Sequence, residues 1–136
     1  MIRTFALAGL SLLVLAACSP EAGKTPASDD PAAGLSAEIS VWHKGLEASH
    51  SACASKVGGK GCQDFQVTCK AYQEISPDEA ARGVTSQVVA AMTFAGRNPD
   101  GSTGRSGSAF ALFSKTRDGW SRAEAMPVNL QSCAPL

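Results

Sequence analysis

The stretch 35-LSAEISVWHKGLEASHSACASKV-57 decides how the rest of this 136-residue chain is interpreted. Apolar and small residues recur in it every three or four positions, at Leu35, Ile39, Trp42, Leu46, Ser49, Cys53 and Val57. This spacing places them on one face of an α-helix. Ser36 suits the N-cap and Gly58-Gly59 ends the pattern, so the sequence predicts a helix over 37–56.

Alternating apolar and polar residues follow the helix, as is typical of strands. Apolar residues occupy positions 65, 67, 69, 71 and 75, which predicts a half-buried strand over 65–75. Cys69 is expected on its inner face and Tyr72 on its outer face. Ser76, followed by Pro77 and two acidic residues, predicts a short helix over 76–83.

The second half of the chain predicts three further strands. They are expected at 84–95, 109–116 and 120–125. Arg117-Asp118-Gly119 predicts a tight hairpin between the last two strands. The Gly- and Ser-rich residues 98–108 predict a long mobile loop, and Pro127 ends the pairing, which leaves Val128 and Leu130 to pack near the C-terminus.

One helix followed by an antiparallel meander predicts an α+β fold, with the helix packed on a four-stranded sheet. This order of elements resembles cystatin-like and related curled-sheet folds, as an analogy of topology alone. A small β-barrel with an N-terminal helix is the alternative. The folded domain is expected to occupy residues 35–136, with no internal repeat.

The first 18 residues have the layout of an export signal. Arg3 precedes 13 uncharged residues, Phe5 to Ala17, which is shorter than the roughly 20 that a transmembrane helix needs. Leu15-Ala16-Ala17-Cys18 resembles the lipobox of bacterial lipoproteins. That resemblance implies cleavage after residue 17, a diacylglycerol thioether on Cys18 and a further acyl chain, such as palmitate, on the new amine. An ordinary secretory signal with a structural thiol at Cys18 is the alternative.

Residues 18–34 predict a flexible, lipid-anchored linker. Ser, Pro, Gly, Ala, Asp and Lys dominate them, and such a composition cannot build a core. Ser19 stands where lipoproteins retained at the inner membrane commonly have Asp, so we expect the periplasmic side of the outer membrane. The 12 basic and 12 acidic residues balance, which gives no electrostatic basis for nucleic-acid binding.

Four cysteines remain once Cys18 is assigned to lipid: Cys53, Cys62, Cys69 and Cys133. An exported protein meets oxidising conditions, so two disulfides are expected. Four cysteines allow three pairings. The extended segment between residues 62 and 69 argues against joining its two ends, and we favour bonds from 53 to 62 and from 69 to 133.

No residue pattern in the chain points to catalysis, a metal or a cofactor. His43 and His50 are seven residues apart, whereas a metal pair on one helix prefers a spacing of four. The candidate interaction residues are Tyr72, Arg97, Arg105 and Trp120. The sequence therefore favours a non-enzymatic cell-envelope lipoprotein that binds an envelope protein. The alternative is a periplasmic inhibitor or small-ligand-binding domain that uses the sheet or the 98–108 loop.

Overall fold

A computed structural model describes residues 30–136 of the chain. Residues 1–29 lie outside this range, and with them the predicted signal peptide, Cys18 and most of the predicted linker. Helix α1 spans Leu35–Ser49, and a single 3-10 turn follows at Ser51–Cys53. Among residues 30–136, no helix combines the length and apolar character needed to cross a membrane.

Helix α1 is confirmed, but its predicted bounds are wrong at both ends. It starts at Leu35 because Gly34 is the N-cap, with φ of 86°, and no side chain caps the helix, so Ser36 does not have the predicted role. It ends at Ser49 because His50 adopts extended backbone, and the His50 Nδ1 accepts the Ala52 N–H at 3.1 Å. The predicted stripe continues to Cys53 only through the 3-10 turn.

The four strands form one antiparallel sheet. They are β1 (Cys62–Tyr72), β2 (Ser86–Arg97), β3 (Thr103–Thr116) and β4 (Gly119–Glu124), in the order β1-β2-β3-β4. Because β1 and β4 are open edges, the sheet is not a closed barrel and the barrel alternative is wrong. A short helix α2 (Pro77–Ala81) joins β1 to β2, and Ser76 caps it as predicted.

The predicted loop over 98–108 is mostly strand. Strand β3 begins at Thr103, and Ser106, Gly107 and Ser108 pair with Ala95, Phe94 and Thr93 of β2. Gly107 is there because the Phe94 ring lies against its backbone, where a Cβ atom would be 2.5 Å from the ring. The small residues therefore permit close packing, and the turn itself is limited to the residues between Arg97 and Thr103.

Strand β1 changes face partway along its length. Its register against β2 shifts between Gln63 and Gln66 and again between Val67 and Cys69. Such irregularities are typical of β-bulges, which invert the alternation of side chains beyond them. Phe65 and Val67 therefore pack on the helix side, while Cys69 lies on the opposite face, so the predicted common inner face is wrong.

Each face of the sheet has its own cover. On the helix side, Trp42 is 2% exposed and its ring meets Phe113 edge-on at 5.7 Å. On the second face, Val128 and Cys133 of the C-terminal segment cover Val89 and Ala91. The two expected disulfides are present as Cys53–Cys62 and Cys69–Cys133, the favoured pairing. They fasten the helix exit and the C-terminal segment to the sheet.

Candidate functional site

The four candidate interaction residues lie at two ends of the sheet. Tyr72 ends β1 and Trp120 is near the start of β4, whereas Arg97 ends β2 and Arg105 is near the start of β3. Tyr72 pairs with Val88 near the start of β2, and Trp120 pairs with Lys115, whose own β2 partner is Ser86. Arg97 is the last residue of β2 and pairs with Thr103, two residues before Arg105, so both arginines lie at the opposite end from Tyr72. They therefore do not form a single surface.

Trp120 is a structural residue and not an exposed aromatic. Its side chain is half-buried against the helix-side core, and Nε1 donates to the backbone oxygen of Ala33 at 2.8 Å. The ring also lies 3.4 Å from the position that a Cβ on Gly34 would take. Trp120 thus holds the chain where it enters α1, and its indole N–H is already used within the domain.

Tyr72 is the exposed aromatic of this end of the molecule. Tyr72 is 59% exposed, and in the sheet it pairs with Val88, a residue of the helix-side core. It is opposite Cys69, as predicted, but on the face that carries α1. A notch of about 220 Å³ lies beside it, lined by Ala32, Leu35, Lys70, Ala71, Tyr72 and Val88. Buried Leu35 and Val88 give the notch an apolar floor.

The outer edge of β1 beside this notch has no partner strand within residues 30–136. The Gln73 N–H donates to the Gln87 oxygen, on the β2 side, at 3.0 Å. The backbone groups of successive strand residues point alternately toward and away from the neighbouring strand, so this bond sets the direction for residues 70–72. The N–H and C=O groups of Lys70 and Tyr72 therefore point outward, away from β2. Both register shifts lie earlier in β1, so residues 69–72 form its regular part.

A larger cleft of about 830 Å³ lies at the other end, between α1 and the start of β1. Its lining residues come from the helix, the turn before β1, β1 itself and the end of β2: His43, Lys44, Glu47, Gly59, Lys60, Cys62, Gln63, Asp64, Phe65 and Arg97. Of the predicted interaction residues, it contains only Arg97.

Glu47 joins the helix to the first strand inside this cleft. Its Oε1 accepts the Gly61 N–H at 2.7 Å and the Cys62 N–H at 3.4 Å. Gly61 is packed so closely that a Cβ atom there would lie 1.9 Å from the Cys53 oxygen. With the Cys53–Cys62 bond, these contacts fix the wall of the cleft.

The two histidines serve packing and capping. The His43 ring lies against Phe65 at a tilt of 48°, with the ring centres 4.0 Å apart, and the His50 ring meets Phe94 edge-on at 4.7 Å. His50 also caps the 3-10 turn. Within residues 30–136, no three His, Cys, Asp or Glu side chains lie together in a way that could hold a metal ion.

Two carboxyl groups have lowered pKa values, each from local hydrogen bonds. The backbone N–H and hydroxyl of Ser76, and then the Gln87 amide, lower the pKa of Glu79. The Ser102 hydroxyl and N–H lower the pKa of Asp100. Both groups stabilise the start of a helix or a turn, so neither indicates a reactive site.

The sequence interpretation missed the cleft residues Lys44, Glu47, Lys60 and Phe65. The favoured Cys53–Cys62 bond could have indicated part of this cleft, because closing that segment brings Lys60 close to the end of the helix. His43 and Glu47 are also four residues apart and share one side of α1. No protein-family model, curated protein or solved structure matches this chain.

Proposed function

We propose that this chain is a non-enzymatic lipoprotein of the bacterial cell envelope whose domain binds another envelope protein. The lipobox-like residues before Cys18 support a lipid anchor on the periplasmic side of the outer membrane. Two or more acyl chains give firm membrane attachment, whereas a single chain binds only marginally. The linker reaches the domain at residues 30–34, and Ala32 lines the Tyr72 notch.

The observation that carries the protein-binding proposal is the regular outer edge of β1 beside the Tyr72 notch. An extended peptide can add to such an edge by backbone hydrogen bonds, while a neighbouring pocket accepts one of its side chains. The partner is therefore an extended segment of an envelope protein, with an apolar side chain for the notch. Lys70, exposed on the same strand, favours an acidic residue nearby.

Site-specific photo-crosslinking in living cells tests this proposal. A photo-crosslinking amino acid replaces Lys70 in the full chain, and in a matched control it replaces the exposed Arg122 of β4. The expected result is one discrete adduct from position 70 and none from position 122. Equal adducts from the two positions, or no adduct from position 70, would contradict binding at this edge.

A backbone variant separates strand addition from side-chain contact. Lys70→Pro removes an N–H that points outward, which edge strands tolerate, whereas Ala71→Pro removes one directed at β2. With the crosslinker at Tyr72, Lys70→Pro should abolish the adduct and leave the folded domain intact. Ala71→Pro should destabilise the domain. An adduct undiminished by Lys70→Pro would show that the edge backbone is not used.

A second candidate function is small-ligand binding, or inhibition of another protein. The observation that favours ligand binding is the cleft of about 830 Å³, because ligand sites are concave and contain a few convergent polar groups. The support for inhibition is limited to the order of the helix and strands, which resembles that of cystatin-like folds.

A further inference from the structure

The cations of the cleft between α1 and β1 have no carboxylate partners. Lys44, Lys60 and Arg97 line it, and within residues 30–136 the closest carboxylate of each is beyond the 4.0 Å of an ion pair. Glu47 also lines it, but its Oε1 already accepts two backbone N–H groups. Asp64 is the other acidic residue of the lining. The cleft therefore offers more unpaired positive charge than negative charge.

Arg97 also has unused hydrogen-bond donors. Its Nη2 donates to the Cys62 oxygen at a long 3.4 Å. Its Nε is shielded from solvent and has no hydrogen-bond partner among the described residues. The charge of this guanidinium is therefore poorly compensated within the domain. An anion in the cleft would bind its Nη atoms, since a guanidinium forms its strongest bonds with carboxylate or phosphate oxygens.

The cleft is rigid enough to keep these cations in place. The Cys53–Cys62 disulfide and the Glu47 bonds hold the segment that carries Lys60 against α1. The rings of Phe65 and His43 lie against each other at a tilt and form an aromatic wall. A site whose groups are already positioned loses less entropy when a ligand binds.

We infer that this cleft binds an oxyanion, a phosphate or carboxylate group, with the rest of the ligand against the Phe65 wall. Oxyanion binding rests on the small-ligand candidate function, whose chemical class it names, and it does not depend on strand addition at β1. The same chemistry is offered by a free phosphate and by the headgroup of an acidic lipid, so the test has an arm for each source.

Amide NMR of the full chain in zwitterionic micelles provides the test. One titration uses inorganic phosphate and the other uses phosphatidylglycerol added to the micelles, with sodium chloride as the ionic-strength control. The amides of Gln63 and Phe65 report on the cleft, and those of Ala123 and Glu124 report on a distant strand. We expect saturable shifts of the cleft amides with at least one of the two probes.

Charge variants of opposite sign show whether the shifts come from a bound anion. Lys60→Gln should weaken binding by roughly fivefold and Asp64→Asn should strengthen it by a similar factor, as expected for charges about 4 Å apart in water. Both side chains belong to exposed residues, so both variants should fold. Lys115→Gln, which lies outside the cleft, is the matched control and should leave binding unchanged.

The outcomes separate the two ligand sources and the two proposals. Saturation by phosphate indicates a free ligand, and saturation by phosphatidylglycerol alone indicates a lipid headgroup. Either result supports the inference if Lys60→Gln weakens the binding and Asp64→Asn strengthens it. Shifts that match those with sodium chloride, or variants that behave like Lys115→Gln, would overturn it. Lys70→Pro, the edge variant, should leave the titration unchanged.

Discussion

Within residues 30–136, Glu47 is the single residue that joins α1 to the start of β1 through hydrogen bonds, and no motif in the sequence indicated this role. Its carboxylate accepts the N–H groups of Gly61, just before β1, and of Cys62, the first residue of β1. Its backbone oxygen accepts from the Lys56 ammonium at 2.6 Å. The residue was predictable only as a polar position beside the helix stripe. Its role depends on where the 53–62 disulfide returns the chain, and that is a tertiary property.

Removing the Glu47 carboxylate should destabilise the domain. Glu47→Ala leaves the Gly61 N–H without its acceptor, and we expect a loss of about 1–3 kcal/mol of unfolding free energy. Chemical denaturation followed by far-UV circular dichroism measures the loss. Glu47→Gln keeps an oxygen acceptor and should lose less than half as much, while Glu74→Gln, at an exposed residue, should have no effect. Equal losses for the Ala and Gln variants would contradict the role of this hydrogen bond.

At the scale of elements, local signals predicted the existence and type of most elements, but they failed where packing decides. The N-cap at Ser76 and the hairpin at Asp118-Gly119 are local signals, and both elements are present. The bulges of β1 could not be predicted, because apolar and polar residues alternate regularly over positions 65–71. The strand character of 103–108 was hidden because its glycines suggested a loop, whereas Gly107 in fact accommodates the Phe94 ring.

The capping box of α2 should make stability depend on pH in the acidic range. Hydrogen bonds from Ser76 and Gln87 lower the pKa of Glu79 in the folded protein. A carboxyl whose folded pKa is below its unfolded value stabilises the fold above the unfolded pKa. That stabilisation is lost as the pH falls through the folded pKa.

Comparison of the wild type with Glu79→Gln measures this effect. The difference in unfolding free energy should be greatest near neutral pH and should shrink as the pH falls below the ordinary pKa of a glutamate. Denaturant titrations at a series of pH values provide the data, with Asp78→Asn as the control for a general loss of acidic charge in the same turn. A difference that stays constant from neutral pH to acid would contradict the proposed linkage.

At the scale of the whole molecule, each disulfide serves a different layer. Cys53–Cys62 closes a sequence separation of 9 at the helix exit, and Cys69–Cys133 closes one of 64 and holds the C-terminal cover on the second face. Chain geometry argued only against a bond between residues 62 and 69, and the favoured pairing was one of the two that remained. The sequence could not place Cys69 on the second face, because that position follows from the bulge before it.

The disulfide that closes the longer loop, Cys69–Cys133, should contribute more to the free energy of unfolding. Chain entropy gives about 4 kcal/mol for the Cys69–Cys133 bond and about 2.5 kcal/mol for the Cys53–Cys62 bond. We therefore expect the double variant Cys69→Ala/Cys133→Ala to lose more unfolding free energy than Cys53→Ala/Cys62→Ala. Guanidinium denaturation of the two variants under the same conditions measures the order. The reverse order would show that local packing, and not the closed loop, sets the contribution.

We propose that this domain works at a membrane surface, where lipid on Cys18 holds it. Intact-mass spectrometry of the mature chain from a lipoprotein-processing bacterium tests it most directly, with Cys18→Ser as the matched control. The expected mature chain starts at Cys18 and carries a diacylglycerol thioether and an acylated amine, both of which should be absent from Cys18→Ser. A mature chain that keeps residues 1–17, or one with an unmodified Cys18 thiol, would contradict the claim.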